Sequence, residues 1–69
     1  MSDAERGLGL VVDGLLFLLD ARLEQLYREL EQAEAHRDPR RRERLVLEIE
    51  RADALIRGLR EWKGRSAEA

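Results

Sequence analysis

The stretch Leu8-Gly9-Leu10-Val11-Val12-Asp13-Gly14-Leu15-Leu16-Phe17-Leu18-Leu19 decides how this chain is read. It is apolar apart from Asp13 and two glycines, and no comparable run occurs elsewhere in the sequence. On a helical heptad with Leu16, Leu23 and Leu30 at a, and Val12, Leu19 and Leu26 at d, its apolar residues fill positions g, a, b, c and d. Only e and f stay polar or small, as Asp13 with Gly14 and Asp20 with Ala21. One partner helix satisfies a narrow stripe, not a surface this broad, so the run needs neighbours on several sides. A chain of 69 residues has little of its own to offer. The expected neighbours are therefore other copies of the chain or another protein.

Upstream of the run, Ser2-Asp3-Ala4-Glu5 has the spacing of a capping box, with Ser2 as N-cap and Glu5 three positions on. Helix 1 is expected to begin near Asp3. Gly7, Gly9 and Gly14 oppose it, each by about 1 kcal/mol relative to alanine. The rival reading makes Leu8 to Val12 a short strand and Asp13-Gly14 a turn, but a lone strand has no pairing partner here. Downstream, Leu16, Leu19, Leu23, Leu26, Leu30 and Ala33 follow alternating spacings of three and four, and Tyr27 widens the stripe. Glu24 and Arg28 are placed for an i,i+4 ion pair.

The helical pattern breaks at His36-Arg37-Asp38-Pro39. Asp38 suits an N-cap, Pro39 suits the first helical position, and the residue before a proline avoids helical torsions. Helix 1 is thus expected over about 3–37, the turn at 36–39 and helix 2 over about 39–63, with Gly64 opening a polar tail over 64–69. Helix 2 carries Leu45, Ile49, Ala52, Ile56 and Leu59 on one stripe, flanked by Leu55 and Trp62 and widened by Val46 and Leu47. Asp53 with Arg57 and Glu61 with Arg65 have favourable i,i+4 order. Two long helices on a short connection make an antiparallel hairpin. The turn sets Leu30 beside Leu45, Leu26 near Ile49, Leu23 near Ala52, Leu19 near Ile56, Leu16 near Leu59 and Leu15 near Trp62. The fold class is all-α: one helical-hairpin domain over residues 1–69, dimerising into a four-helix bundle or joining a larger helical assembly.

Composition agrees. Small chains need a staple, and with no cysteine and one histidine neither disulfides nor a multi-histidine metal site is available. Oligomerisation is what remains. The redox compartment stays open. Charged residues form 41% of the chain at a net charge of −2, so no global attraction to nucleic acid or anionic lipid is expected. The apolar run is shorter than the roughly 20 residues a membrane span requires, and no basic leader precedes it. A membrane-surface helix would carry Lys or Arg on its polar face, where this one has Asp13 and Asp20. The reading is a soluble, cytoplasmic chain without cofactor or metal.

The expected hairpin resembles the small helical-hairpin RNA-binding regulators of plasmid copy number, which dimerise into four-helix bundles. The resemblance is of shape, shares no motif and carries no residue's role across.

The chemistry-bearing groups are few. Arg37, Arg40, Arg41, Arg42 and Arg44 cluster at the start of helix 2, where the helix dipole disfavours cations. Arginine forks suit phosphate, which makes this edge a candidate nucleic-acid contact. Against that, Glu31, Glu34, Glu43 and Glu48 dilute the cluster, and no aromatic residue supplies a stacking platform. His36 closes helix 1 with no special role required of it. Asp13 and Asp20 lie one heptad apart, about 10 Å along a helix, too far to share a proton; Arg60 is a plausible partner for Asp13. Ser66 has no histidine base nearby, and no glycine-rich phosphate loop occurs.

The candidate interface comprises Leu8, Val11, Val12, Leu15, Leu16, Phe17, Leu18, Leu19, Leu55, Leu59 and Trp62. The functional expectation is a non-enzymatic, homo-oligomerising interaction or scaffold module, a dimer first and with room for a further protein partner. The alternative is a nucleic-acid-binding regulator that uses the arginine edge.

Overall fold

The computed structural model describes the backbone of residues 3–68 and the side chains of residues 3–66. Two helices account for it: α1 (Asp3–Ala35) and α2 (Pro39–Glu68), packed antiparallel as a hairpin. Ser2, the expected N-cap, lies outside the described residues. The apolar run is helical throughout, so the strand reading of Leu8 to Val12 is overturned. No φ angle among the described glycines is positive, and each lies within a helix. Their propensity cost is spread over two long helices whose backbone bonds continue on both sides.

The turn is built as the local sequence dictates, with one exception. Asp38 caps α2: its side-chain Oδ1 accepts the Arg41 amide at 3.2 Å and its carbonyl accepts the Arg42 amide at 3.0 Å. Pro39 takes the first helical position, where no amide donor is needed. At the end of α1, the Asp38 amide donates to the Ala33 carbonyl at 2.9 Å and the Arg37 amide to the Glu34 carbonyl at 3.1 Å. This pair of bonds is a Schellman closure, which places the residue between them in the left-handed region. Glycine usually stands there; here Arg37 does, at φ 53°.

α1 ends at Ala35, two residues before the expected limit, because His36 and Arg37 are used in the closure. α2 passes Gly64 and continues to Glu68, so the expected tail over 64–69 is helical as far as it is described. A single glycine costs about 1 kcal/mol, too little to stop a helix that continues into residues with ordinary helix propensity and ends with Arg65 favourably placed against the dipole.

The core is one seam. Val12, Leu26, Ala33, Leu45, Ile49, Ala52 and Ile56 are buried between the helices. Leu26 anchors it at 2% exposure, with Ala33, Leu45 and Ile49 around it and Leu23 and Leu30 packed against them. The result is a slab 51 × 15 × 12 Å, one helix thick.

Candidate interaction surface

An antiparallel two-helix slab has two broad faces. With Ile49 and Ile56 of α2 at a and Leu45, Ala52 and Leu59 at d, one face is formed by the g and c positions of both helices, the other by e and b. The interhelical ion pairs sort accordingly. On the e/b face, Asp13 pairs with Lys63, Asp20 with Arg60 at 4.0 Å and Glu34 with Arg42 at 3.5 Å. On the g/c face, Arg22 meets Glu48 at 3.6 Å and donates to the Gln25 Oε1 at 3.3 Å. Asp13 is thus held by Lys63 and not by Arg60, which serves Asp20. Arg60 stands one helical turn short of level with Asp13, whereas Lys63 stands level with it. The i,i+4 pairs of Glu24 with Arg28, Asp53 with Arg57 and Glu61 with Arg65 are not closed; all of these residues but the half-buried Asp53 are exposed, where such pairs contribute little.

The expected interface residues divide into two groups. Val12 is buried within the hairpin, and Leu16, Leu19, Leu59 and Trp62 are half-buried along or beside its seam. Leu8, Val11, Leu15, Leu18 and Leu55 are exposed and share the g/c face, with Leu18 at 63%. Phe17, together with Leu10, stands on the e/b face at 74% exposure. The apolar run therefore presents two surfaces, separated on α1 by the buried seam and the acids of the e position. Both belong to the open end of the hairpin. Tyr27 and Leu47 are exposed apolar residues outside the expected set. Tyr27 closes a shallow hollow with Phe17, Ala21 and Leu23, all on one side of α1. The signal for it was the i, i+4, i+10 spacing of Phe17, Ala21 and Tyr27, which the dominant a/d stripe obscures.

The arginines sit at the other end. Arg37 is in the turn, and Arg40, Arg41, Arg42 and Arg44 are exposed in the first turns of α2. Arg42 is engaged by Glu34. Arg40 and Arg44 border a shallow hollow shared with Glu43 and Glu50, so the local surface carries both signs. His36 is exposed, and its amide donates to the Gln32 carbonyl at 2.9 Å. Asp13 and Asp20 are each tied to a cation across the hairpin. Among the described residues no group of three or more His, Asp or Glu side chains is placed to hold a metal, and no buried side-chain polar atom lacks a partner. No helix among the described residues is long and apolar enough to cross a membrane.

No family model, curated protein or solved structure matches this chain.

Proposed function

We propose that the chain is a non-enzymatic, soluble cytoplasmic module that associates with itself and presents its open end to other proteins as a scaffold or adaptor. The observation that carries this reading is the exposure of Leu8, Val11, Leu15, Leu18 and Leu55 together on the g/c face at the open end of the slab. Isolated exposed leucines are ordinary on protein surfaces; a contiguous group rimmed by charge marks an association site. Each half-exposed leucine withdrawn from water contributes on the order of 1 kcal/mol, so several together sustain a stable contact. The alternative, a nucleic-acid-binding regulator that uses Arg37 to Arg44, has less support: Arg42 is paired with Glu34, and Glu43 and Glu50 lie beside Arg40 and Arg44.

Light scattering at micromolar concentration tests the proposal. The wild type is expected to exceed the chain mass of 8.0 kDa. The double variant Leu15→Glu, Leu18→Glu should shift toward that mass while keeping its helicity. A wild type that scatters as a single chain refutes the reading.

A further inference from the structure

We propose that a second copy of the chain seats on the g/c face with the two-fold axis running along the helices, so that α1 of each copy lies antiparallel against α2 of the other. The proposal rests on the self-association reading and adds the face, the direction and the register.

The face follows from what each side of the slab already satisfies. On the e/b face, Asp13 and Asp20 are neutralised by Lys63 and Arg60 across the seam. A second copy laid there would have to cover these two pairs and Glu34 with Arg42, charge in both halves, whereas the g/c face holds one pair, Arg22 with Glu48, in its turn half; covering charge is costly. On the g/c face the open half carries Leu8, Val11, Leu15, Leu18 and Leu55 without an acid among them. Bundle helices bury a, d and one flanking position. Here that flanking position is g, filled by Leu8 and Leu15 in α1 and by Leu55 and Trp62 in α2.

Direction follows from the two halves of this face. Its open half is apolar; its turn half carries Arg22, Glu29, Arg44, Glu48 and Arg51. A copy stacked in the opposite direction would lay leucines on those charges. A copy slid by half a length would avoid that, but would use only half the slab. A standard interface takes about 800 Å² from each partner. The whole broad face, 51 by 15 Å, spans roughly 750 Å² and comes close to that area only at full overlap. Full overlap with both turns at the same end sets apolar half on apolar half and mixed charge on mixed charge.

The register is then fixed. The four interhelical ion pairs have residue numbers totalling 70, 76, 76 and 80, so α1 and α2 residues whose numbers total about 76 lie level. In the stack Leu18 comes opposite the partner's Gly58, beside which the chain itself places no atom that a Cβ would meet within 4 Å. Glu29 falls between the partner's Arg44 and Arg51. Gln25 comes opposite the partner's Arg51, although within one chain these two residues point to opposite edges, beyond disulfide reach.

That last pair supplies the test, since the chain has no cysteine of its own. In Gln25→Cys, Arg51→Cys, both replaced residues are exposed and outside the apolar patch. Mild oxidation at micromolar concentration should convert most of this variant to a reducible covalent dimer. Neither single variant should do so to a comparable extent, nor should Glu24→Cys, Glu50→Cys, which marks the other broad face. Cross-linking of the 24/50 pair instead, or of Gln25→Cys alone, overturns the arrangement. So does a variant that scatters as a dimer but fails to cross-link through 25 and 51; self-association then survives without this geometry. If the wild type itself scatters as one chain, the underlying reading has failed.

Discussion

Replacing Arg37 with glycine should leave the protein more stable than replacing it with alanine, although glycine is the more flexible residue. Arg37 occupies the Schellman position at φ 53°, and its side chain is exposed. A residue with a Cβ in the left-handed region costs roughly 1–2 kcal/mol. Glycine relieves that cost but gains freedom in the unfolded chain, which opposes folding by about 0.4–1 kcal/mol. Loss of a cation near the end of α1 opposes it too, by roughly 0.3–1 kcal/mol. Arg37→Ala is the proper reference, because it loses the same charge and keeps the Cβ. The glycine variant should exceed the alanine variant by about 0.5–1 kcal/mol. In urea, with a slope of roughly 1 kcal/mol/M for a protein this small, that is a midpoint difference of about 0.5–1 M. Circular dichroism at equal protein concentrations reads it directly. Equal midpoints for the two variants would show that the Arg37 backbone is not strained, and the assignment of the turn closure would fall.

Three further substitutions probe the packing and the surface. Leu26→Ala removes the most buried large side chain of the seam and should cost about 2–5 kcal/mol, enough to lose most helical signal at room temperature; a cooperative, near-wild-type melt would refute the seam. Asp13→Asn breaks the pair with Lys63, whose partners are about half exposed, and should move the urea midpoint by the equivalent of roughly 0–1 kcal/mol, with the difference vanishing in high salt. Changing Arg40, Arg41, Arg42 and Arg44 together to Gln should leave helicity and oligomer size intact. For the same cluster, the wild type should show no nucleic-acid complex that survives about 150 mM salt and is lost in that variant.

Much of the fold is legible in the sequence, and the reasons are local. The a/d stripe from Leu16 to Ala33, the matching stripe from Leu45 to Leu59 and the Asp38-Pro39 start signal each specify their element without tertiary help. Leu26 and Ile49, which the stripes set near each other, belong to one buried cluster. What was not legible depends on alternatives of similar energy. Gly64 weakens a helix without ending it, so the limit of α2 depends on Arg65 and the residues after it rather than on the glycine. Arg37 carries no glycine to announce a left-handed turn. Its torsion is imposed by Asp38 starting α2 only three residues after α1 ends. The exposed acids Asp13 and Asp20 choose among cations on long flexible stems, a choice that spacing cannot resolve to within one turn. The candidate surface was visible as an apolar excess, but its division into two faces needed the seam to be located first. Phe17 and Leu18 are adjacent in sequence and stand on opposite broad faces.

Folding coupled to association is tested most directly by the dependence of unfolding on protein concentration. Any state in which the native chain is held by a second copy gains stability with concentration, whereas an isolated hairpin does not. Urea unfolding of the wild type, followed by circular dichroism over a hundredfold range of concentration, should show a midpoint that rises steadily with concentration. A midpoint that stays fixed across that range, with mass remaining at 8.0 kDa throughout, would contradict self-association through the open end.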